Sequence, residues 1–530
     1  GGTIGPQSVT YSQGNFKARK YYYEVALNYI HSFGPHNVSG LILGNAQKYH
    51  DPSLLYKVPQ GLMGLTSRVT YNFDERYLFE FNMAYNGSEN FPPEKRFGFF
   101  PSVSAGWVIS NEPYFPKTQY ISWIKIRGSY GEVGNDNLGG SRFMYLPSTW
   151  MYTGSGALNG YNFGYTDGTS TAPSFEGVTE NQIGNPLITW ERARKFNIAL
   201  ETRFFNNRLS FIGDYFYEKR DQILWNYGTI SNLVGAKMPA ANIGKMSNKG
   251  YELQLEWRDM INSFSYYIKG AVSYARNRID YMDEPMYNNP WMNTTGYMYG
   301  QYKGLKSNGF YNTEEEVNLH NYSVTDGNKV RLGDIKYLDI DGDGKIDQND
   351  YVPIGYSPIP LYTFNLSAGI EYKGFSLSAI FVGSAKGSFM LSNYATTPFT
   401  KDWGSAWQWM YEGQWTPEKV AKGEKITFPR ASLSQGTNQN YLPSDFWLRS
   451  TDFFRLKNLE IAYNFTQLGA LKKIGIQGIR IYINGNNLLT WKSKDLPDGI
   501  DPEQSSTQYA QEGLLYPMTR VYNIGVKLQF

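Results

Sequence analysis

Cysteine is absent from the 530 residues, which excludes a disulfide framework, a cysteine nucleophile and thiolate-bound metal together. Histidine is scarce: His31, His36, His50 and His320 are scattered, and the first two flank an expected tight turn, where a packing role suits them. Long apolar runs are missing as well. No stretch approaches the roughly 18 unbroken apolar residues that a spanning helix needs, so any membrane crossing has to be made by strands. Neither sign of charge dominates, with 50 basic and 47 acidic residues and a net charge of +3. No Lys/Arg run supplies the electrostatic footprint of a nucleic-acid partner, and a glycine-rich phosphate loop ending in Lys-Ser/Thr is not found. No carboxylate pair is marked out for glycoside hydrolysis, so the residues do not point to an enzyme. Gly1-Gly2-Thr3-Ile4-Gly5-Pro6 lacks the charged start and apolar run of a signal peptide, so an exported chain beginning this way is expected to be a mature product or a piece of a longer one.

Aromatic residues are what the chain has in excess: 44 Tyr, 31 Phe and 13 Trp, 17% of the total, more than a soluble core requires. Aromatic girdles at two water–lipid boundaries would use them. The last twelve residues show the pattern in small. Tyr522, Ile524, Val526, Leu528 and Phe530 alternate with Val521, Asn523, Gly525, Lys527 and Gln529, which is a strand with one apolar side and an aromatic carboxy-terminus.

The same alternation recurs from end to end. Strands are expected at 21–29, 38–44, 61–73, 77–85, 99–110, 120–132, 188–204, 208–220, 249–259, 263–277, 361–373, 375–386, 450–464, 477–490 and 517–530. Tight turns such as Phe33-Gly34-Pro35, Asp74-Glu75-Arg76, Phe205-Asn206-Asn207, Met260-Ile261-Asn262 and Lys373-Gly374 take turns with long loops at 133–187, 278–360 and 387–449. Unequal rims of this kind belong to an up-and-down membrane barrel with short periplasmic turns and long outer loops; a compact soluble domain has no use for loops so long. The expected fold is therefore all-β, a transmembrane antiparallel β-barrel. Fifteen strands cannot close on themselves, because antiparallel closure needs an even number. The alternation puts residues 1–18 in an external loop, and a complementary piece is expected to cover the open edges.

Two loop motifs carry candidate chemistry. Asp339, Asp341, Asp343, Asp347 and Asp350, with Gly344 between them, fall at positions 1, 3, 5, 9, 12 and 6 of an EF-hand-type calcium loop, and the Lys345 carbonyl falls at position 7. Position 12 is aspartate where calcium sensors have glutamate, and no amphipathic helix pair flanks the loop. A structural calcium or magnesium clip is expected; a solvated acidic turn is the bland alternative. Trp403, Trp407, Trp409 and Trp415 crowd one external loop with Tyr411 and Phe399. Their faces could stack on sugars or meet a protein partner, or they could form a small core that holds the loop. The four-residue spacing of Trp403 and Trp407 favours packing on a helical turn.

Several stretches resemble the SusC/RagA family of TonB-dependent outer-membrane transporters of Bacteroidetes-type bacteria: Arg96-Phe97-Gly98-Phe99-Phe100-Pro101-Ser102-Val103-Ser104-Ala105-Gly106-Trp107, Ile124-Lys125-Ile126-Arg127-Gly128-Ser129-Tyr130-Gly131-Glu132, Gly333-Asp334-Ile335-Lys336-Tyr337, Phe454-Arg455-Leu456-Lys457-Asn458-Leu459, and Asn484-Gly485-Asn486-Asn487-Leu488-Leu489-Thr490-Trp491 before Asp501-Pro502-Glu503. The resemblance implies a barrel of about 22 strands, of which residues 1–530 would be the carboxy-terminal portion with long extracellular loops and without the plug domain. It implies import of an oligosaccharide or peptide with a SusD-like surface lipoprotein. It also implies a plug and remaining strands on another chain, energy from TonB through that missing part, outer-membrane lipid around the barrel, and a dimer of transporter–lipoprotein pairs. A passive porin, a surface carbohydrate-binding or hydrolytic all-β protein, and an adhesion protein are the competing readings.

Overall fold

The computed structural model describes residues 17–51, 58–116, 118–139, 142–153, 161–162, 174–175, 177–230, 238–319, 330–399, 406–432, 439–465, 475–503 and 518–530, with residues 13–14, 469, 513 and 515–516. Its main feature is one fifteen-stranded sheet in which every strand lies beside its neighbours in sequence. The strands are β1 (Arg19–Phe33), β2 (His36–His50), β3 (Gln60–Phe73), β4 (Tyr77–Ser88), β5 (Phe97–Val108), β6 (Ile121–Asn135), β7 (Glu191–Phe204) and β8 (Leu209–Trp225). They continue as β9 (Ala241–Ile261), β10 (Phe264–Tyr281), β11 (Tyr362–Tyr372), β12 (Phe375–Ala385), β13 (Phe453–Phe465), β14 (Gly478–Lys492) and β15 (Val521–Gln529). All fifteen expected strands are present, and the pairing is antiparallel.

Period-two alternation decides these strands, but the two faces are not those of a soluble sheet. In β4 the outer row is Tyr77, Phe79, Phe81 and Tyr85, all exposed, while Leu78, Glu80, Asn82 and Ala84 on the other face are half-buried. The row in β15 behaves alike, with Ile524 77% exposed. Exposed apolar rows recur as Phe196, Ile198 and Leu200 in β7, Leu253 and Leu255 in β9, and Ile481 and Ile483 in β14. The opposite face is tied by ion pairs across strands, such as Arg68–Glu80 at 2.7 Å and Arg480–Glu460 at 2.7 Å.

Connections sort by length as expected. Short ones (34–35, 74–76, 205–208, 262–263, 373–374) alternate with long ones (136–190, 282–361, 386–452). At the β11–β12 turn, Lys373 and Gly374 have φ of +46° and +89°, the left-handed pair that a two-residue hairpin with matching twist requires. Several strand boundaries differ from expectation: β1, β2 and β8 run beyond 21–29, 38–44 and 208–220 at their ends, and two further differences are instructive. β9 begins at Ala241 rather than 249, because Asn242, Lys245, Ser247 and Asn248 lack the apolar alternation yet still enter the ladder. The segment at 450 is not part of β13: Leu448–Ser450 pairs with Ser388–Met390 as a separate ribbon.

Among the described residues, β1 and β15 pair on one side only, so the sheet has two edges. Every residue of β1 is exposed. The chain divides into two compact units. The first comprises Gly1–Ala105, Ser129–Lys195 and Arg220–Gly244, and the second Gly106–Gly128, Phe196–Lys219 and Lys245–Phe530. The first has a small core in which Trp190 meets Phe91 and Phe100 at 5.2 and 5.3 Å. The second has a larger one, built almost wholly from the long connections, around Leu305, Ile335, Ile346, Phe389, Phe428 and Trp447.

Candidate functional site

The sheet's polar face carries an organised charge network in each unit. In the second unit Arg127 donates to Glu201 (2.7 Å), Asp214 (2.9 Å) and Asn197 (3.0 Å), joining β6, β7 and β8. In the first unit Glu132 accepts from Arg192 (2.9 Å) and Arg194 (3.3 Å), and Arg194 reaches Asp221 at 3.0 Å. These groups are partly exposed, so each pair stabilises modestly; their effect is to hold a charged, wettable wall.

The aspartate loop folds much as its spacing predicts. Carboxylate oxygens of Asp339, Asp341 and Asp343 lie within 4.8 Å of one another. Gly342 and Gly344 turn the chain at φ of +76° and +83°. Asp339 accepts from the amides of Gly342 (2.7 Å) and Gly344 (2.8 Å), and Asp343 from that of Lys345 (2.8 Å). Partial desolvation, and then the charges of Asp343, Asp350 and Asp339, raise the Asp341 carboxyl above its ordinary value against the hydrogen bond from the Asp343 amide. Asp347 and Asp350 do other work in the same loop. Asp347 caps the short turn Gln348–Asp350, accepting from Asn349 N at 2.7 Å. Asp350, fully buried, accepts from Ile340 N (2.6 Å) and Asp347 N (2.9 Å). Ile346 anchors the loop in the core and the Trp291 indole donates to the Asn349 carbonyl at 2.7 Å.

Of the four tryptophans, Trp403 lies outside the described residues, as does His320. The other three pack. Trp407 donates to the Tyr394 carbonyl (3.0 Å) and precedes the short helix α1, Gln408–Gly413. Trp409 meets Phe428 edge to face at 5.5 Å, and Trp415 is buried with its indole on Asn312 at 2.9 Å. Tyr411, on α1, is exposed.

One site was not legible beforehand. Arg455 of β13 is buried, donates to Thr490 Oγ1 at 2.8 Å, and forms ion pairs with Asp501 and Glu503 from the connection after β14. The only sequence signal is an arginine inside an otherwise apolar strand start, Phe453-Phe454-Arg455-Leu456, which demands a partner.

A family model for TonB dependent receptor-like β-barrels matches residues 3–488. The chain belongs to this family. It is a family of outer-membrane receptors and transporters, not of enzymes, and the large antiparallel sheet matches the barrel folds of such proteins. TonB-dependent receptor P3 of Formosa agariphila is 25% identical over 559 aligned positions, covering 95% of this chain and 52% of that protein. TonB-dependent receptor SusC of Bacteroides thetaiotaomicron is 25% identical over 544, covering 96% and 50%. Among solved structures, the RagAB peptide transporter matches with a TM-score of 0.72 at 20% identity, covering 97% of this chain and 56% of that one; at that identity the likeness speaks for the fold. The chain thus spans about half the length of the curated relatives it matches.

Proposed function

We propose that the chain is most of the wall of a transmembrane β-barrel that imports a large nutrient, an oligosaccharide or a peptide, across the bacterial outer membrane. The observation that carries this is the inversion of the sheet: its apolar rows are the exposed ones and its charged network lies on the other face. A soluble sheet buries its apolar face; a barrel in lipid exposes it and wets its lumen. On this reading the barrel has about 22 strands, and the strands that would pair with β1 and β15, together with a plug and the segment that engages TonB, are supplied from outside residues 1–530. A SusD-like lipoprotein would cover the long connections, and two such pairs would form a dimer.

The loops are assigned within the same reading. Three converging carboxylates, one of them raised by partial desolvation and then by its acidic neighbours, suit a hard cation with oxygen ligands, calcium or magnesium, and Asp347, Asp350 and the Lys345 carbonyl would hold the loop around it. Trp407, Trp409 and Trp415 would support α1, so that Tyr411 faces cargo or lipoprotein, and Trp403, in the same connection by sequence, is a further candidate contact. Co-purification of the unboiled complex from outer membranes tests the assembly, and uptake of labelled oligosaccharides and peptides by a deletion strain tests the cargo. A strain that loses neither uptake, or a chain recovered from the soluble fraction, would overturn the proposal.

A further inference from the structure

On the outward side of β9 and β10 the apolar pattern stops abruptly near the end that leads into the long connections. Tyr251 opposes Tyr274 with rings stacked at 5.3 Å, and Tyr274 meets Tyr362 of β11 at 4.8 Å. Stepping two residues along each strand keeps the same face, and the next pair there is Lys249 opposite Arg276, followed by Ser247 opposite Arg278. Like charges placed directly opposite destabilise a sheet. Among the described residues neither Lys249 nor Arg276 has a carboxylate within ion-pair distance. Asp280 is the one acid at the site; it accepts from Ser247 Oγ at 3.1 Å and lies 3.8 Å from Arg278 Nε. These side chains line a cavity of about 480 Å³, bounded by Tyr217 of β8 and by Met298 from the connection after β10. That is the size of a small-molecule site.

We propose that this cavity binds the phosphate-bearing headgroup of a lipid in the outer leaflet. The inference rests on the reading above that the outward rows face lipid. Three cations against one acid leave a positive excess that an anion would neutralise, relieving the Lys249–Arg276 repulsion. Guanidinium forks match phosphate oxygens in pairs, and the lysine adds a point charge. The depth also fits: tyrosines mark the boundary between hydrocarbon and headgroup, and the cations begin one residue pair beyond them.

The test uses the intact protein reconstituted in vesicles of phosphatidylethanolamine, with or without phosphorylated lipid A, and native mass spectrometry of the extracted complex. The wild type should retain lipid A. K249A/R276A/R278A should retain it at least about tenfold less, since even one lost charge-assisted contact is worth that much. Lipid A stripped of phosphate should bind the wild type as weakly as it binds the variant, and K249R/R276K should bind like wild type. Equal retention by wild type and triple variant, indifference to the phosphate, or full displacement of lipid A by inorganic phosphate would each overturn the assignment. Failure to insert in either vesicle would instead sink the membrane reading.

Discussion

Replacing Arg455 by methionine isolates the electrostatic latch between β13 and the connection after β14. The side chain is 1% exposed, while Asp501 and Glu503 retain 14% and 26% of their side-chain exposure. Breaking a buried pair by removing one partner costs about 3–5 kcal/mol, because the charge left behind is uncompensated. The nearby Lys457–Glu503 contact at 3.0 Å is 37% exposed on the lysine side and contributes no more than about 1 kcal/mol. The segment should therefore open roughly 10²- to 10³-fold more often in R455M. Hydrogen exchange at Leu496 and Ile500, whose amides bond to Ser493 and Pro497 within that connection, reads this directly. Adding D501N and E503Q should restore at least half of the protection, since no buried charge then lacks a partner. A triple variant as open as R455M would refute the electrostatic account and leave packing of the arginine stem as the cause.

Leu255, 52% exposed on the outward row of β9, distinguishes lipid from water. L255R should cost about 2–4 kcal/mol in urea-driven unfolding from a bilayer, whereas an exposed site in water would change by no more than about 0.5 kcal/mol. Calcium at a hundredfold excess over its dissociation constant should slow exchange at Gly342 and Gly344 by the equivalent of about 2.7 kcal/mol. D341N/D343N should abolish that effect, and equal exchange with and without the ion would remove the proposed clip. Trp447, 1% exposed with its indole on the Asn440 carbonyl at 2.7 Å, should cost about 3–5 kcal/mol as W447A. Proteolysis should then appear within 386–452 while the sheet stays folded, and simultaneous loss of both would show that the loop core is not a separate cooperative unit.

What could be read beforehand follows from the range of the interactions. Strands announce themselves over a few residues, because a pleated chain puts every second side chain on one face, and so Tyr77 to Tyr85 or Tyr522 to Phe530 could be assigned without partners. The long connections obey no such local rule. Leu305 shares a core with Trp447, and the Ile335 amide donates to Asn440 Oδ1 at 2.7 Å; nothing near either residue in sequence foretells it. The tryptophans illustrate the same limit, since an aromatic that stacks on a sugar and one that fills a loop core look alike until Asn312 or Phe428 is placed beside it. In the aspartate loop the spacing specified the turn and the convergence of Asp339, Asp341 and Asp343. It could not specify that Asp347 and Asp350 would accept backbone amides, because either use satisfies a carboxylate.

The two ends of the sheet bear on how the wall is completed. In hydrocarbon a backbone group without a partner costs several kcal/mol, and an edge strand presents such groups along its whole length. β1 spans Arg19–Phe33 and is exposed on both faces, with Val25 and Ile30 more than three-quarters exposed; β15 is nearly as open. Ion pairs on the polar face do not offset this, because they lie across the strands' side-chain surface and leave the edge amides and carbonyls untouched. Only further strands satisfy both edges at once, since they supply hydrogen bonds in the plane of the sheet and also screen the outward side chains at the seam. On the barrel reading proposed above, the exposed rows, the unequal connections and the open edges call for one arrangement: a wall in lipid that is finished by pairing β1 and β15 to strands beyond these fifteen.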